Sequence, residues 1–445
     1  MNHILSPRDA RTFWASAVID SDQFLLYCFD HGDAAAPTAA AVADFVIGRA
    51  PSIPDLRVRV APAPFDLERP SWAPCEVIDV REAIAHGWAH IPAAIARLMS
   101  RQVDATVTPW RLHVFPQVTG APRCAGTATV VVLQIAHCLA DGRRAAEIAR
   151  ALFAADEPTV AASADRARGP GPTVLRGARG LAALPINLAR TVILGTRVDS
   201  ARASIERRTA AGAMPPPVPG CPPTVLNSRP DETREVRMLV RDRSEVAAGC
   251  TVTVGALAAV SVAVERYLRG RGVEVPETLC AEVMVARARK PHERNAFGNV
   301  SVPLFPAIDP SERPARIGAA LDAARTRAAS RLWQVISAPE NTAPAPLMSL
   351  GLRSFDTEVR PEVMGGATVV SSVYRGPSDL EVLGGRSVFT AGFPALSPAM
   401  GLTHGVHGLG DTVTLSVTSS RTAVPDPDSY LALLNEAIRE LHQSS

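Results

Sequence analysis

The segment Val130 to Phe153, VVVLQIAHCLADGRRAAEIARALF, constrains the fold more than any other part of the 445-residue chain. It opens on an almost unbroken apolar run that ends at Ile135. Such a run predicts a strand covered on both faces and therefore central in its sheet. Beyond Asp141 and Gly142, Ala145, Ile148, Ala149 and Leu152 recur at helical spacing and predict a helix. His137 stands where the strand gives way to that helix, a junction at which mixed α/β folds commonly assemble sites. An imidazole with a pKa of about 6.5 is suited to accepting a proton near neutral pH. Asp141 can brace the turn, either as a helix cap or by pairing with an arginine. An HxxxDG pattern arises by chance in roughly a few per cent of chains with this many His and Gly, so its placement carries more weight than its letters.

The rest of the chain supplies two mixed halves. Before residue 160, Phe24 to Phe29, Leu56 to Val60, Arg111 to Phe115 and Thr127 to Ile135 read as strands. Thr38 to Arg49 and Ala83 to Met99 read as helices. Asp156 to Thr173 is rich in Ala, Arg, Gly and Pro, and Pro215 to Pro223 is a proline run. They read as the ends of a crossover, with a helical piece from Leu175 to Arg208 between them. From Pro223 onward, Glu235 to Val240, Leu279 to Val285, Thr368 to Val373, Arg386 to Ala391 and Thr412 to Thr418 have strand character. Val252 to Leu268, Ile317 to Val335 and Pro427 to His442 have helical character, and Ala338 to Pro346 is a proline-rich break. A chain of this length exceeds the roughly 250–300 residues at which single cores stop growing, so two lobes are expected.

Several function classes drop out on composition. The net charge is +2, without the basic excess of a nucleic-acid binder. Lys290 is the single lysine; it precedes Pro291 and has no glycine-rich loop around it, which speaks against P-loop and Schiff-base chemistry. The seven cysteines include no CxxC pair and read as reduced thiols in a cytoplasmic protein. The N-terminus lacks the basic and apolar regions of a secretory signal. The apolar stretch Leu181 to Gly195 is interrupted by Pro185, Asn187 and Arg190. It reads as too short and polar to span a bilayer, yet able to lie along a membrane surface as an amphipathic helix.

HCLADG, with its strand before and helix after, resembles the HxxxDG motif of the condensation-domain and chloramphenicol-acetyltransferase-like superfamily. Within it, the chain is most similar to the wax ester synthase/diacylglycerol acyltransferase family of actinobacteria. Pro109-Trp110 with RLHVF, TVLNSRPDETREVRML around Asn227, NAFGNVSVPLFP at 295–306 and SSVYRGP at 371–377 resemble further stretches of that family. The resemblance implies an α/β (α+β) fold of two chloramphenicol-acetyltransferase-like lobes, each a mixed sheet with flanking helices, and an active-site tunnel between them. Residues 1–160 would form the N-terminal lobe, 161–222 the crossover and 223–445 the C-terminal lobe.

Carried over, His137 would be the general base, Asp141 a structural residue and Gly142 the residue that permits the close turn. The Asp of the family pairs with an Arg of the other lobe; Arg287 and Arg289 both qualify. Gly298 and Asn299 would line the site. The implied reaction is acyl transfer from a thioester, coenzyme A or a phosphopantetheine arm, to a hydroxyl or amine. No bound cofactor and no metal are needed. The implied partners are a small-molecule donor and acceptor and, for one class of donor, an acyl or peptidyl carrier protein, with room for peripheral contact at the inner face of the membrane.

Departures from the family pattern fall mainly in the second half. Ala136 replaces the first of two consecutive histidines, and Ser372 stands at an Asn position. Tyr374-Arg375 replaces a single Pro, and a Ser-Tyr pair is missing near His407-Gly408. They keep two alternatives in view: a condensation-like enzyme of natural-product assembly, and a silent binding homologue. Ser371 and Ser372 could donate to a tetrahedral oxyanion or be ordinary strand-end serines. Cys138 beside His137 is a poor dyad partner, because adjacent side chains of an extended chain point apart. His404 and His407, in a glycine-rich stretch, suit a polar contact better than a metal site.

Overall fold

The computed structural model describes residues 4–85, 87–155, 173–336 and 342–444. The first end of the expected crossover, residues 156–172, and the part of the proline-rich break at 337–341 lie outside the described residues. In the first part of the chain the strands are β1 (Gln23–Asp30), β2 (Val58–Ala61), β3 (Ser71–Pro74), β4 (Val80–Glu82), β5 (Trp110–Val118) and β6 (Ala128–Ile135). Later come β7 (Glu235–Asp242), β8 (Cys280–Ala286), β9 (Phe297–Pro303), β10 (Thr368–Tyr374), β11 (Glu381–Val382), β12 (Gly385–Gly392), β13 (Leu402–Leu409) and β14 (Thr412–Ser419). They form two six-stranded mixed sheets, ordered β11-β12-β1-β6-β5-β4 and β7-β14-β13-β10-β8-β9, beside a small β2-β3 ribbon.

The apolar run of the motif becomes β6, and all eight of its residues are buried. Val131, Leu133 and Ile135 join one core cluster with Ile148 and Leu152 of the helix Gly142–Phe153. Val130 and Val132 face the other side, against Phe24, Leu26 and Phe389. Each such side chain contributes about 1.5–3 kcal/mol by leaving water, so both faces of β6 fix its register. In the second sheet, β10 lies between β13 and β8 and runs parallel to both. The helix Val252–Gly270, almost wholly buried, covers that sheet together with Pro427–Gln443.

The first sheet draws on chain from both sides of residue 223. β12 pairs with β1 in the register Leu25↔Gly392, which carries a late segment back beside the motif strand. The helix expected over Ala83 to Met99 is shorter, Ile91–Met99. Gly87 at φ 83° breaks the chain beforehand, and a proline in the first turn restarts it. Leu56 falls in a short 3-10 turn, Pro54–Arg57, before β2 begins.

The crossover helix is Thr173–Ala210, 38 residues with Pro185 inside it. Where the sequence suggested a segment too short to span a bilayer, the helix is long and apolar enough to cross one by length and composition, with a mean hydropathy of 1.2 in its most apolar window.

Candidate active site

The motif turn is built from the end of β6 outward. Ala136 donates its N–H to Pro109 O at 2.8 Å and Leu139 donates to Ala136 O at 2.8 Å, so His137 leaves the sheet on a tight bend. Its ring stacks on Phe297, with centroids 5.4 Å apart and planes 18° apart. The amide nitrogen of Gln23 lies 3.2 Å from Nδ1 and also donates to Ala140 O. Asn295 Nδ2 donates to the His137 carbonyl at 2.8 Å. No hydrogen bond to Nε2 is present among the described residues, and His137 lines the cavity between the two sheets. Burial holds its pKa below the usual histidine value, outweighing the opposite pull of Asp141, so the ring is neutral at pH 7.

Asp141 is 4% exposed and ties the two lobes together. Oδ1 accepts from Arg144 N at 2.9 Å, capping the motif helix, and Oδ2 accepts from Ala296 N at 2.8 Å. Arg289 Nη2 lies 3.2 and 3.4 Å from the two oxygens. Arg287 turns instead toward Glu293, at 3.9 Å. Gly142 is not in the left-handed region. Its missing side chain serves close approach: a Cβ there would come within 3.2 Å of Val373 Cγ2 on β10. The close turn expected to need this glycine is therefore replaced by close packing of the lobes.

Gly298 and Asn299 open β9 on the far wall. Asn299 Nδ2 donates to Glu282 Oε2 at 3.2 Å, and Asn299 and Glu282 line the cavity, whereas Gly298, expected to line it, does not. A Cβ on Gly298 would meet nothing nearer than Arg287 Cδ at 3.7 Å. Of the two serines on β10, Ser372 is engaged with Thr253 Oγ1 at 2.8 Å. Ser371 lines the cavity and makes no side-chain hydrogen bond among the described residues. Cys138 is buried and its thiol is pushed far above the ordinary range by desolvation. His404 bridges Thr368 Oγ1 (2.9 Å) and Tyr430 Oη (2.7 Å) inside the second lobe.

Sequence reading missed the support beneath the motif. Asp9, on the helix Pro7–Ala15, accepts from Arg294 N, Asn295 N and Asn295 Nδ2 at 3.1, 3.0 and 2.9 Å. Arg294 pairs with Asp55 at 2.6 Å and lies 4.3 Å over the Trp72 ring. Gln23, Glu282, Arg375 and His407 also reach the cavity, whose volume is about 380 Å³. Arg375 and His407 were visible only in segments that depart from a familiar pattern, His407 also as a polar contact; Gln23 and Glu282 carried no local signal.

Two sheets with a cavity between them and a histidine at its wall give the chain the two-lobed fold of the condensation-domain class. Solved structures of that class superpose over nearly the whole chain. The wax ester synthase/diacylglycerol acyltransferase from Marinobacter aquaeolei is 17% identical, with a TM-score of 0.64 over 99% of both chains. The starter condensation domain of rhizomide synthetase is 11% identical, with a TM-score of 0.57 over 99% of this chain and 94% of that one. Trichothecene 15-O-acetyltransferase from Fusarium sporotrichioides is 12% identical, with a TM-score of 0.53 over 99% of this chain and 94% of that one. At such identities the likeness is one of fold. The wax ester synthase/diacylglycerol acyltransferase catalytic-domain model matches residues 23–254, and the C-terminal-domain model of the same family matches 294–442. The chain belongs to the wax ester synthase/diacylglycerol acyltransferase family and is an acyltransferase.

Proposed function

We propose that this enzyme moves an acyl group from a thioester to a hydroxyl or amine, with His137 as general base. The carrying observation is the neutral His137 ring, stacked on Phe297 at the cavity wall, with no hydrogen bond to Nε2 among the described residues. The reaction uses the tautomer with the proton on Nδ1, in which Gln23 Nε2 donates to Ala140 O alone and the Nε2 lone pair of His137 accepts the acceptor's proton as its oxygen or nitrogen attacks the thioester carbon. The tetrahedral oxyanion collapses, the C–S bond breaks, and the imidazolium returns its proton to the thiolate. Ser371, with its free hydroxyl in the cavity, is the donor suited to the oxyanion. Asp141 acts through geometry, by holding the motif turn to the β8–β9 connection.

The donor is coenzyme A or a carrier-protein phosphopantetheine thioester. The rhizomide condensation-domain structure is a complex with C8-CoA, which supports a coenzyme A thioester here. Contact with a membrane surface is proposed through the exposed apolar residues of the helix Thr173–Ala210.

The test is His137→Ala assayed by intact-mass detection of product across acyl-CoA donors. A loss of about 10²–10⁴ in kcat is expected, and unchanged turnover would remove the base assignment. In the wild type, kcat/KM should fall as pH drops through a pKa below the ordinary histidine value, because burial favours the neutral base. An acid limb centred above that value would contradict the assignment.

A further inference from the structure

We propose that the cavity arm ending at Arg375 and His407 is a binding subsite for a carboxylate carried by the substrate. The proposal rests on the acyl-transfer reading for its reaction, and on the following geometry for its ligand.

Arg375 is 4% exposed and lines the same cavity as His137. Its Nη1 donates to Thr390 Oγ1 at 2.6 Å and to Ala391 O at 2.8 Å, both neutral acceptors. Its Nε is buried without a partner, and it has no ion-pair partner among the described residues. The other deeply buried guanidiniums differ. Arg294 has Asp55, Arg313 has Glu265 and Arg176 has Glu68. A guanidinium remains charged in a protein interior, so an unneutralised one facing a substrate cavity calls for an anion from the ligand.

A second buried polar side chain beside it also lacks a full set of partners. His407, 5% exposed, leaves Nδ1 without a partner, and the guanidinium carbon lies 5.5 Å from the centroid of the buried Tyr27 ring. Two glycines let the Arg375 and His407 side chains lie hard against the neighbouring strands. A Cβ on Gly392 would lie 2.5 Å from Arg375 Nη2 and 2.7 Å from His407 Cε1, and one on Gly405 would lie 2.8 Å from His407 Cε1. Burial and the neighbouring guanidinium keep His407 neutral, so the arm carries one positive charge and suits a monoanion. A planar fork offers its remaining N–H groups to a carboxylate in the bidentate manner.

Glu282 of the cavity wall stands away from this guanidinium. Glu282 pairs across β8 and β10 with Val369, and Arg375 follows Val369 by six residues, roughly 20 Å of extended strand. Val373, packed over Gly142, lies between the two ends, so the reacting centre separates Glu282 from Arg375.

The carboxylate can belong to the acceptor or to the acyl chain, and matched substrates tell these apart. Purified enzyme is assayed with ω-hydroxydecanoate against its methyl ester as acceptor, and with the sebacoyl monothioester of coenzyme A against its monomethyl ester as donor. In one pair the carboxylate is expected to be favoured by about tenfold or more in kcat/KM, with the preference lost in Arg375→Gln. Which pair shows it identifies the source. No preference in either pair, or a preference that survives Arg375→Gln, overturns the proposal. Should Arg375→Gln not fold, Arg375→Lys keeps the charge without the fork; an undiminished preference there would also overturn it. Calorimetry of ω-hydroxydecanoate and its ester on His137→Ala separates the two readings. Carboxylate-dependent binding without turnover in the wild type would sink acyl transfer alone, and turnover without carboxylate preference would sink this subsite alone.

Discussion

Asp141 accepts from a helix amide, a second-lobe amide and a second-lobe guanidinium, and these three contacts are not of equal weight. The amides of Arg144 and Ala296 have no other acceptor in this arrangement, at 2.9 and 2.8 Å. The Arg289 side chain is 29% exposed and its contacts are longer, so water compensates it in part. Asp141→Ala is therefore expected to cost about 2–4 kcal/mol, and Arg289→Gln about 1 kcal/mol or less. Urea midpoints of the two variants check this, and equal losses would show that the ion pair, not the cap, dominates. The choice between Arg287 and Arg289 could not be made in sequence because residues two apart share a face of an extended chain. The turn after Ala286 decides it, sending Arg287 toward Glu293 and Arg289 to Asp141. His137 and Asp141 were legible because their roles follow from a strand, a turn and a helix that are contiguous. Gln23 and Asn295 were not, since each meets the motif from more than 100 residues away.

Strands that place their residues by apolar alternation were read correctly, and strands shaped by close backbone approach were not. β1, β6 and β14 announce themselves through Val, Leu, Phe and Thr. β13, LTHGVHGL, is fully buried, yet its glycines and histidines hide the pattern. Gly405 shows why they are there. A Cβ at that position would stand 2.2 Å from Gly392 O of β12, and 2.4 Å from Ser416 Oγ. The glycine lets the second sheet touch the strand that has crossed into the first. Gly405→Ala should force β12 and β13 apart, costing about 2–3 kcal/mol, the scale of overpacking in a close-packed interior. Denaturant unfolding measures the cost, and a variant as stable as wild type would show that the two strands yield without penalty.

At the scale of the whole molecule, the crossover helix is fastened at its ends and, apart from a Thr191–Thr342 hydrogen bond, exposes large apolar side chains between them. Arg176 reaches Pro62 O at 3.2 Å and pairs with Glu68 at 3.4 Å. A Cβ on Gly180 would sit 2.3 Å from Leu67 O, so this end lies hard against the first lobe. Toward the other end, Val198, Ala201 and Ile205 are buried. The stretch between exposes Leu181 (62%), Ile186 (55%), Val192 (62%) and Ile193 (55%). Its charged residues from 179 to 197 are Arg179, Arg190 and Arg197, with no carboxylate among them. An apolar face edged only by cations suits an anionic lipid surface better than water. Wild-type protein should therefore cosediment with phosphatidylglycerol-containing vesicles and less with phosphatidylcholine alone. Replacing Leu181, Val192 and Ile193 by Ser removes apolar contact without touching either anchor, and is expected to lower vesicle partitioning by about tenfold or more. Because the substituted side chains lie far out of the core, the urea midpoint should move little. Equal partitioning of the triple variant would mean that this helix faces something other than lipid.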